Sequence, residues 1–157
     1  MVFFSIVFLS CLSLNGQSAT AIEKFDELHY KYLKTNDTTY VVNFWATWCK
    51  PCVAELPYFL ETEKNLSQEK VKFIFVSLDF ADQLDKRVVP FLKNKKIDST
   101  VYLLADQDSN KWIPQVNQEW SGAIPATAVY KNGAQVYFDE KSIESTEELN
   151  NIIAKHL

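Results

Sequence analysis

The feature that most constrains this chain is the pentapeptide Trp48-Cys49-Lys50-Pro51-Cys52, set between a strand-like run and a helix-like one. Upstream, Thr39 to Ala46 reads Thr-Tyr-Val-Val-Asn-Phe-Trp-Ala, the β-branched and aromatic composition of a buried strand. Downstream, a helix is predicted from about Cys49 to Asn65, kinked at Pro57. Two thiols in the first turn of a helix can close a small disulfide ring with little rearrangement. The unsatisfied N–H groups at that end favour a negative sulfur. Cys49 is therefore expected to have a lowered pKa and to be the attacking thiolate, with Lys50 adding positive charge nearby. Cys52, one turn further in, is expected to be less accessible and to resolve the mixed disulfide.

Other uses of a close cysteine pair fit less well. A structural zinc site needs about four ligands, and His29 and His156 are both remote from the pair. Haem attachment needs His directly after the second cysteine, where Val53 stands. A copper site would need a nearby His. A thiol peroxidase would normally carry Thr three residues before the reactive cysteine, where Ala46 stands. Two cysteines three apart cannot staple a small secreted fold, so their value is chemical. No metal and no organic cofactor are expected.

The rest of the 157 residues suits one domain around one core, with 47% hydrophobic residues and only three Gly and five Pro. Acidic and basic residues are mixed along the chain at a net charge of −4, without the basic stripe of a nucleic-acid binder. Helical spacing is read over Ile22 to Lys34, Asp82 to Asn94, Asn110 to Asn117 and Ser145 to His156. Strands are read over Val71 to Leu78, Val101 to Ala105, Thr127 to Lys131 and Gln135 to Phe138. Asn132-Gly133 joins the last two as a hairpin. Alternating elements followed by a hairpin predict an α/β fold, a central mixed β-sheet flanked by helices on both faces.

Met1 to Ala21 carries no charged side chain, and Val2 to Leu14 is largely apolar. The stretch is short for a membrane span. It reads as a signal peptide over residues 1–21 ending in Ala19-Thr20-Ala21, with the folded domain at 22–157. A buried N-terminal strand is the competing reading. Phe8-Leu9-Ser10-Cys11 loosely resembles a lipoprotein box and opens the alternative of a lipid anchor at Cys11.

Asn43-Phe44-Trp45-Ala46-Thr47-Trp48-Cys49-Lys50-Pro51-Cys52 resembles the active-site signature of the thioredoxin superfamily. Val53-Ala54-Glu55-Leu56-Pro57 resembles its exported TlpA/ResA-like branch, and Pro57 falls at that family's helix-kink position. The resemblance implies a thioredoxin-like fold. It implies that Ile124-Pro125 is a cis-proline loop opposite the disulfide, with the Ile124 backbone pairing with an extended substrate. Trp48, Lys50 and Pro51 would complete the substrate rim. Glu55 would take the Cys52 proton, against the alternative of a solvated helix carboxylate. Where cytoplasmic thioredoxins carry a buried Asp, this chain has Asn43, which cannot accept a proton in that way. The β-hairpin that opens the branch's domain is expected to be replaced by one helix. Trp45 is assigned to the core, as are Trp112 and Trp120.

The function implied is a thiol–disulfide oxidoreductase reducing disulfides of exported proteins, apocytochrome c among them. It would be a periplasmic or cell-envelope monomer recharged by a membrane electron donor. The alternatives are a disulfide oxidase or isomerase on the same fold, and a non-catalytic binding module.

Overall fold

The computed structural model describes residues 18–157. The core of the sheet is built from β-branched and aromatic runs that are apolar on both faces. β2 (Thr39–Trp45) is buried at every position, and β3 (Val71–Ser77) is buried from Phe73 onward. Continuous burial of this kind requires cover on both sides. Five helices supply it, α1 (Phe25–Tyr32), α2 (Lys50–Asn65), α3 (Val89–Lys95), α4 (Ser109–Val116) and α5 (Thr146–Ala154), while β1 (Ala19–Ile22), β4 (Thr100–Leu104), β5 (Ala126–Lys131) and β6 (Ala134–Asp139) extend the sheet to either side.

The six strands run in the order β1-β4-β3-β2-β5-β6. The first four are mutually parallel, and β5 is antiparallel to both β2 and β6. One apolar cluster packs Trp45, Phe59, Phe75, Leu103 and Leu149 on one face. A second packs Phe25, Tyr32, Phe44, Trp112 and Trp120 on the other. The β5–β6 hairpin turns on Asn132 and Gly133 with φ of 51° and 79°, the pair of left-handed residues that a tight primed turn requires.

Two local expectations are corrected. Ile22 to Lys34 is not one helix: Ala19–Ile22 is an edge strand hydrogen-bonded to β4, and α1 starts at Phe25. The folded domain therefore includes Ala19 to Ala21, ahead of the boundary expected at residue 22. A four-residue strand next to an uncharged apolar stretch carries no alternation to betray it, and its partner lies some eighty residues away. Asp82 to Asn94 is likewise a short 3-10 turn (Ala81–Gln83), a wide turn (Leu84–Val88) and then α3. Pro90 has no N–H to return to the preceding turn, and the Val89 N–H reaches back five residues to the Leu84 carbonyl. Pro57 lies inside α2 without ending it. The signal peptide expected over residues 1–21 falls almost entirely, and the alternative lipid anchor at Cys11 wholly, outside the described residues.

Candidate active site

β2 ends at Trp45 and α2 begins at Lys50, and the loop between them presents Cys49 at the carboxyl end of the parallel strands. This is where open α/β sheets place their chemistry. Cys49 is the N-cap of α2, and its Sγ accepts the Cys52 N–H at 3.3 Å. Pro51 occupies the first turn, where its missing N–H costs nothing. Cys49 and Cys52 are joined by a disulfide, with Cα atoms 5.3 Å apart. Cys49 is 5% exposed and Cys52 is fully buried, so attack from outside can reach only the first sulfur. Trp48 (55% exposed), Lys50 and Pro51 stand around it on the surface.

The opposite wall is the loop before β5. The Ile124–Pro125 peptide is cis, and the Ile124 carbonyl oxygen lies 3.6 Å from Cys49 Sγ. This contact brings together two segments 75 residues apart in sequence.

Behind the pair sits Glu55, one helical turn beyond Cys52 and only 1% exposed. Burial pushes its carboxyl up to about 7. The Ile143 N–H and the Asn43 amide hold it back, each donating at 2.8 Å, and Glu148 adds a smaller upward push. A carboxyl poised near neutrality can take or give a proton at physiological pH. The solvated alternative for Glu55 is therefore corrected. Hydrophobic packing of α2 on the sheet turns this side chain inward, which helical spacing alone could not decide.

Two polar residues not singled out as site residues from the sequence shape the site. Asn43 projects from β2, donating to Glu55 and, at 3.4 Å, to Thr127 Oγ1. Its lack of basicity was legible, but its role as a donor depends on Glu55 being turned inward. Asp79, buried just after β3, accepts from the Thr47 N–H at 2.9 Å, the Thr47 hydroxyl at 2.5 Å and the Ser77 hydroxyl at 2.8 Å. It anchors the loop that carries Trp48 and Cys49. Its only sequence signal was an acidic residue at the end of an apolar strand. Among the described residues, no three His, Cys, Asp or Glu side chains gather as a metal ion would need.

A Redoxin family profile matches residues 16–148. The chain belongs to the Redoxin family. The match begins ahead of β1, in keeping with that strand's place in the sheet. Among curated relatives of this Redoxin-family chain, the thiol-disulfide oxidoreductase ResA of Oceanobacillus iheyensis is 38% identical over 66 residues, covering 36% of this chain and 34% of that protein. The similarity thus spans about a third of ResA's length. A thioredoxin of Malassezia sympodialis is 34% identical, covering 51% of this chain and 82% of that protein. Among solved structures, StoA of Bacillus subtilis superposes with a TM-score of 0.61 at 22% identity, covering 75% of this chain and 84% of its own. A thioredoxin-related protein of Neisseria meningitidis serogroup B gives 0.64 at 21% identity, covering 77% and 86%. The fold is thioredoxin-like, and the sequence similarity includes the TlpA/ResA-like branch.

Proposed function

We propose that this Redoxin-family chain is a thiol–disulfide oxidoreductase that reduces disulfides of exported proteins through Cys49 and Cys52. The observation that carries this reading is the Cys49–Cys52 disulfide at the start of α2, exposed only at Cys49 and backed by the buried Glu55. ResA of Oceanobacillus iheyensis and the sporulation thiol-disulfide oxidoreductase A of Bacillus subtilis bear names of the same activity, and the chain is 38% and 32% identical to them over 66 and 63 residues.

In the reduced protein the Cys49 thiolate, favoured by the amide N–H groups at the α2 start, attacks one sulfur of a substrate disulfide. The sulfur–sulfur bond breaks, and one substrate sulfur leaves as a thiolate that takes up a proton. The other stays bound to Cys49. Cys52 then gives its proton to the Glu55 carboxylate and attacks Cys49 Sγ. The second substrate thiolate leaves, and the protein holds the Cys49–Cys52 disulfide. Two electrons have passed to the substrate, and a membrane-bound dithiol donor would return them. Trp48, Lys50 and Pro51 form one side of the substrate groove. The backbone of Ile124 before Pro125 forms the other, where an extended segment can add as a strand.

Export rests on the uncharged stretch ahead of the domain. We place any processing upstream of Ala19, because a cut after Ala21 would remove three of the four β1 residues.

The test is the reduction potential of Cys49–Cys52 in defined thiol buffers, followed by tryptophan fluorescence. A value of about −270 mV or lower supports the reductase. A value of about −120 mV would make the protein a disulfide-forming oxidase instead. Failure to form a reversible disulfide would leave a binding module.

A further inference from the structure

The polarity of the fold sorts the chain's charges to opposite ends. β1 to β4 are parallel, so they share one end where all of them start and another where Cys49 follows β2. α1, α2 and α3 each leave the top of one strand and return to the base of the next, so their last turns lie at the starting end. Those turns carry Lys31, Lys64 and Lys95. Lys34 follows α1, and Lys72 is the second residue of β3. The opposite end gathers acid instead: Asp26 and Glu27 in the first turn of α1, Asp82 after β3, Asp106 after β4, and Glu147 and Glu148 at the start of α5.

Carboxylates at the starting end do little to neutralise these lysines. Asp37 is held between Lys70, at 2.7 Å, and Lys131, at 3.3 Å. Glu63 accepts from the Ser99 hydroxyl. Lys31, Lys34 and Lys72 are exposed and pair with no carboxylate among the described residues. They line a shallow cleft of about 360 Å³ with Tyr40, Glu63 and Tyr102. Favourable placement at a helix C-terminus accounts for lysines such as Lys31 and Lys64, but not for Lys34 and Lys72, which lie outside the helices. The concentration of positive charge also runs against the chain's overall balance of −4.

The described chain begins at this same end. Ser18 precedes Ala19, which pairs with Val101 at the base of β4. Upstream, Val2 to Leu14 is uncharged and largely apolar in sequence. We propose that the starting end of the sheet docks on an anionic bilayer. Lys31, Lys34 and Lys72 lie against lipid phosphates, and the Cys49–Cys52 disulfide is held away from the surface. Charge complementarity selects the lipid, and the start of β1 at this end puts the preceding apolar stretch, in the unprocessed chain, on the same side as the lysines. Seven residues of β2 separate that base from the site, which puts the disulfide roughly 20 Å above the headgroups. Among the described residues no helix is long and apolar enough to cross a membrane.

The experiment measures partitioning of the full chain onto vesicles of phosphatidylcholine alone and with about 30% phosphatidylglycerol. The leader contributes to both, so the anionic-to-zwitterionic ratio isolates the lysines. Each basic group at an anionic surface is worth about fivefold. The triple variant Lys31→Gln, Lys34→Gln, Lys72→Gln is expected to lower the ratio at least tenfold. Reaction of its disulfide with dithiothreitol should be unchanged, which reports an intact fold independently of any enzymatic role. The control Lys86→Gln, Arg87→Gln, Lys111→Gln, at the acidic end, is expected to keep the ratio. An unchanged ratio in the first variant, an equal loss in the control, or tighter binding to soluble polyglutamate than to the vesicles would each overturn the proposal.

Discussion

The side-chain amide of Asn43 donates to Glu55 at 2.8 Å with both residues sealed from solvent, while the Asn43 amide oxygen has no partner of its own. A neutral donor here avoids a second buried carboxyl, which would couple to the first and drive one of the pair strongly up. The two ends of the amide have nearly the same shape. Turned over, Asn43 offers its oxygen to a protonated Glu55. One side chain can thus serve both protonation states of its neighbour.

Removing that donor should weaken the ionised form of Glu55. Asn43→Leu is expected to raise the Glu55 pKa by about one unit above its position near 7, the size of one hydrogen bond to a charged group. Titration of the Glu55 carboxyl carbon by NMR, on the oxidised protein, reads this directly. An unmoved titration would reduce Asn43 to a space-filling role.

The same carboxyl makes stability depend on pH. Burial raises Glu55 from the ordinary 4.5 to about 7, so the folded protein binds its proton more tightly than the unfolded chain does. Its stabilising contribution is complete below about 4.5 and is lost as pH rises through about 7. The full loss is on the order of 3 kcal/mol. Urea unfolding at pH 5 and pH 8 should show the parent losing more stability across that interval than Glu55→Gln. Equal losses in the two proteins would remove Glu55 as the cause.

Asp79 ties the cysteine loop to the end of β3 through the Thr47 amide and hydroxyl. Asp79→Ala leaves a partly buried N–H without its acceptor and is expected to cost about 2–3 kcal/mol of stability. Hydrogen exchange at the Thr47 amide should accelerate at least tenfold in the variant. Retained protection would show that the loop is held by other contacts.

The edge strand gives a prediction about chain length. A chain starting at Ile22 loses the ladder from Ala19 to Ala21 against Val101 to Leu103 and uncovers β4. It should unfold about 2 kcal/mol more readily in urea than one starting at Ser18, the worth of two or so net hydrogen bonds. Matching midpoints would make β1 dispensable.

Much of this molecule was readable because its signals are local. The continuous apolar runs of β2 and β3, the helical spacing of α5, the Asn132-Gly133 turn and the helix-opening cysteine pair each depend on residues adjacent in the chain. Elements with such short-range instructions fell within a residue or two of their observed ends. Tertiary structure alone decided the features that depend on distant partners. β1 exists because β4 offers it an edge, not because Ala-Thr-Ala-Ile prefers to be extended. Glu55 is buried because the α2 face that holds Leu56 and Phe59 must close on the sheet, and burial then shifts its proton affinity. Asn43, Asp79 and Ile124 gain their places only when segments tens of residues apart meet. Hydrophobic pattern is written along the chain, whereas the dielectric and hydrogen-bond environment of a single polar group is set by whatever the fold packs against it.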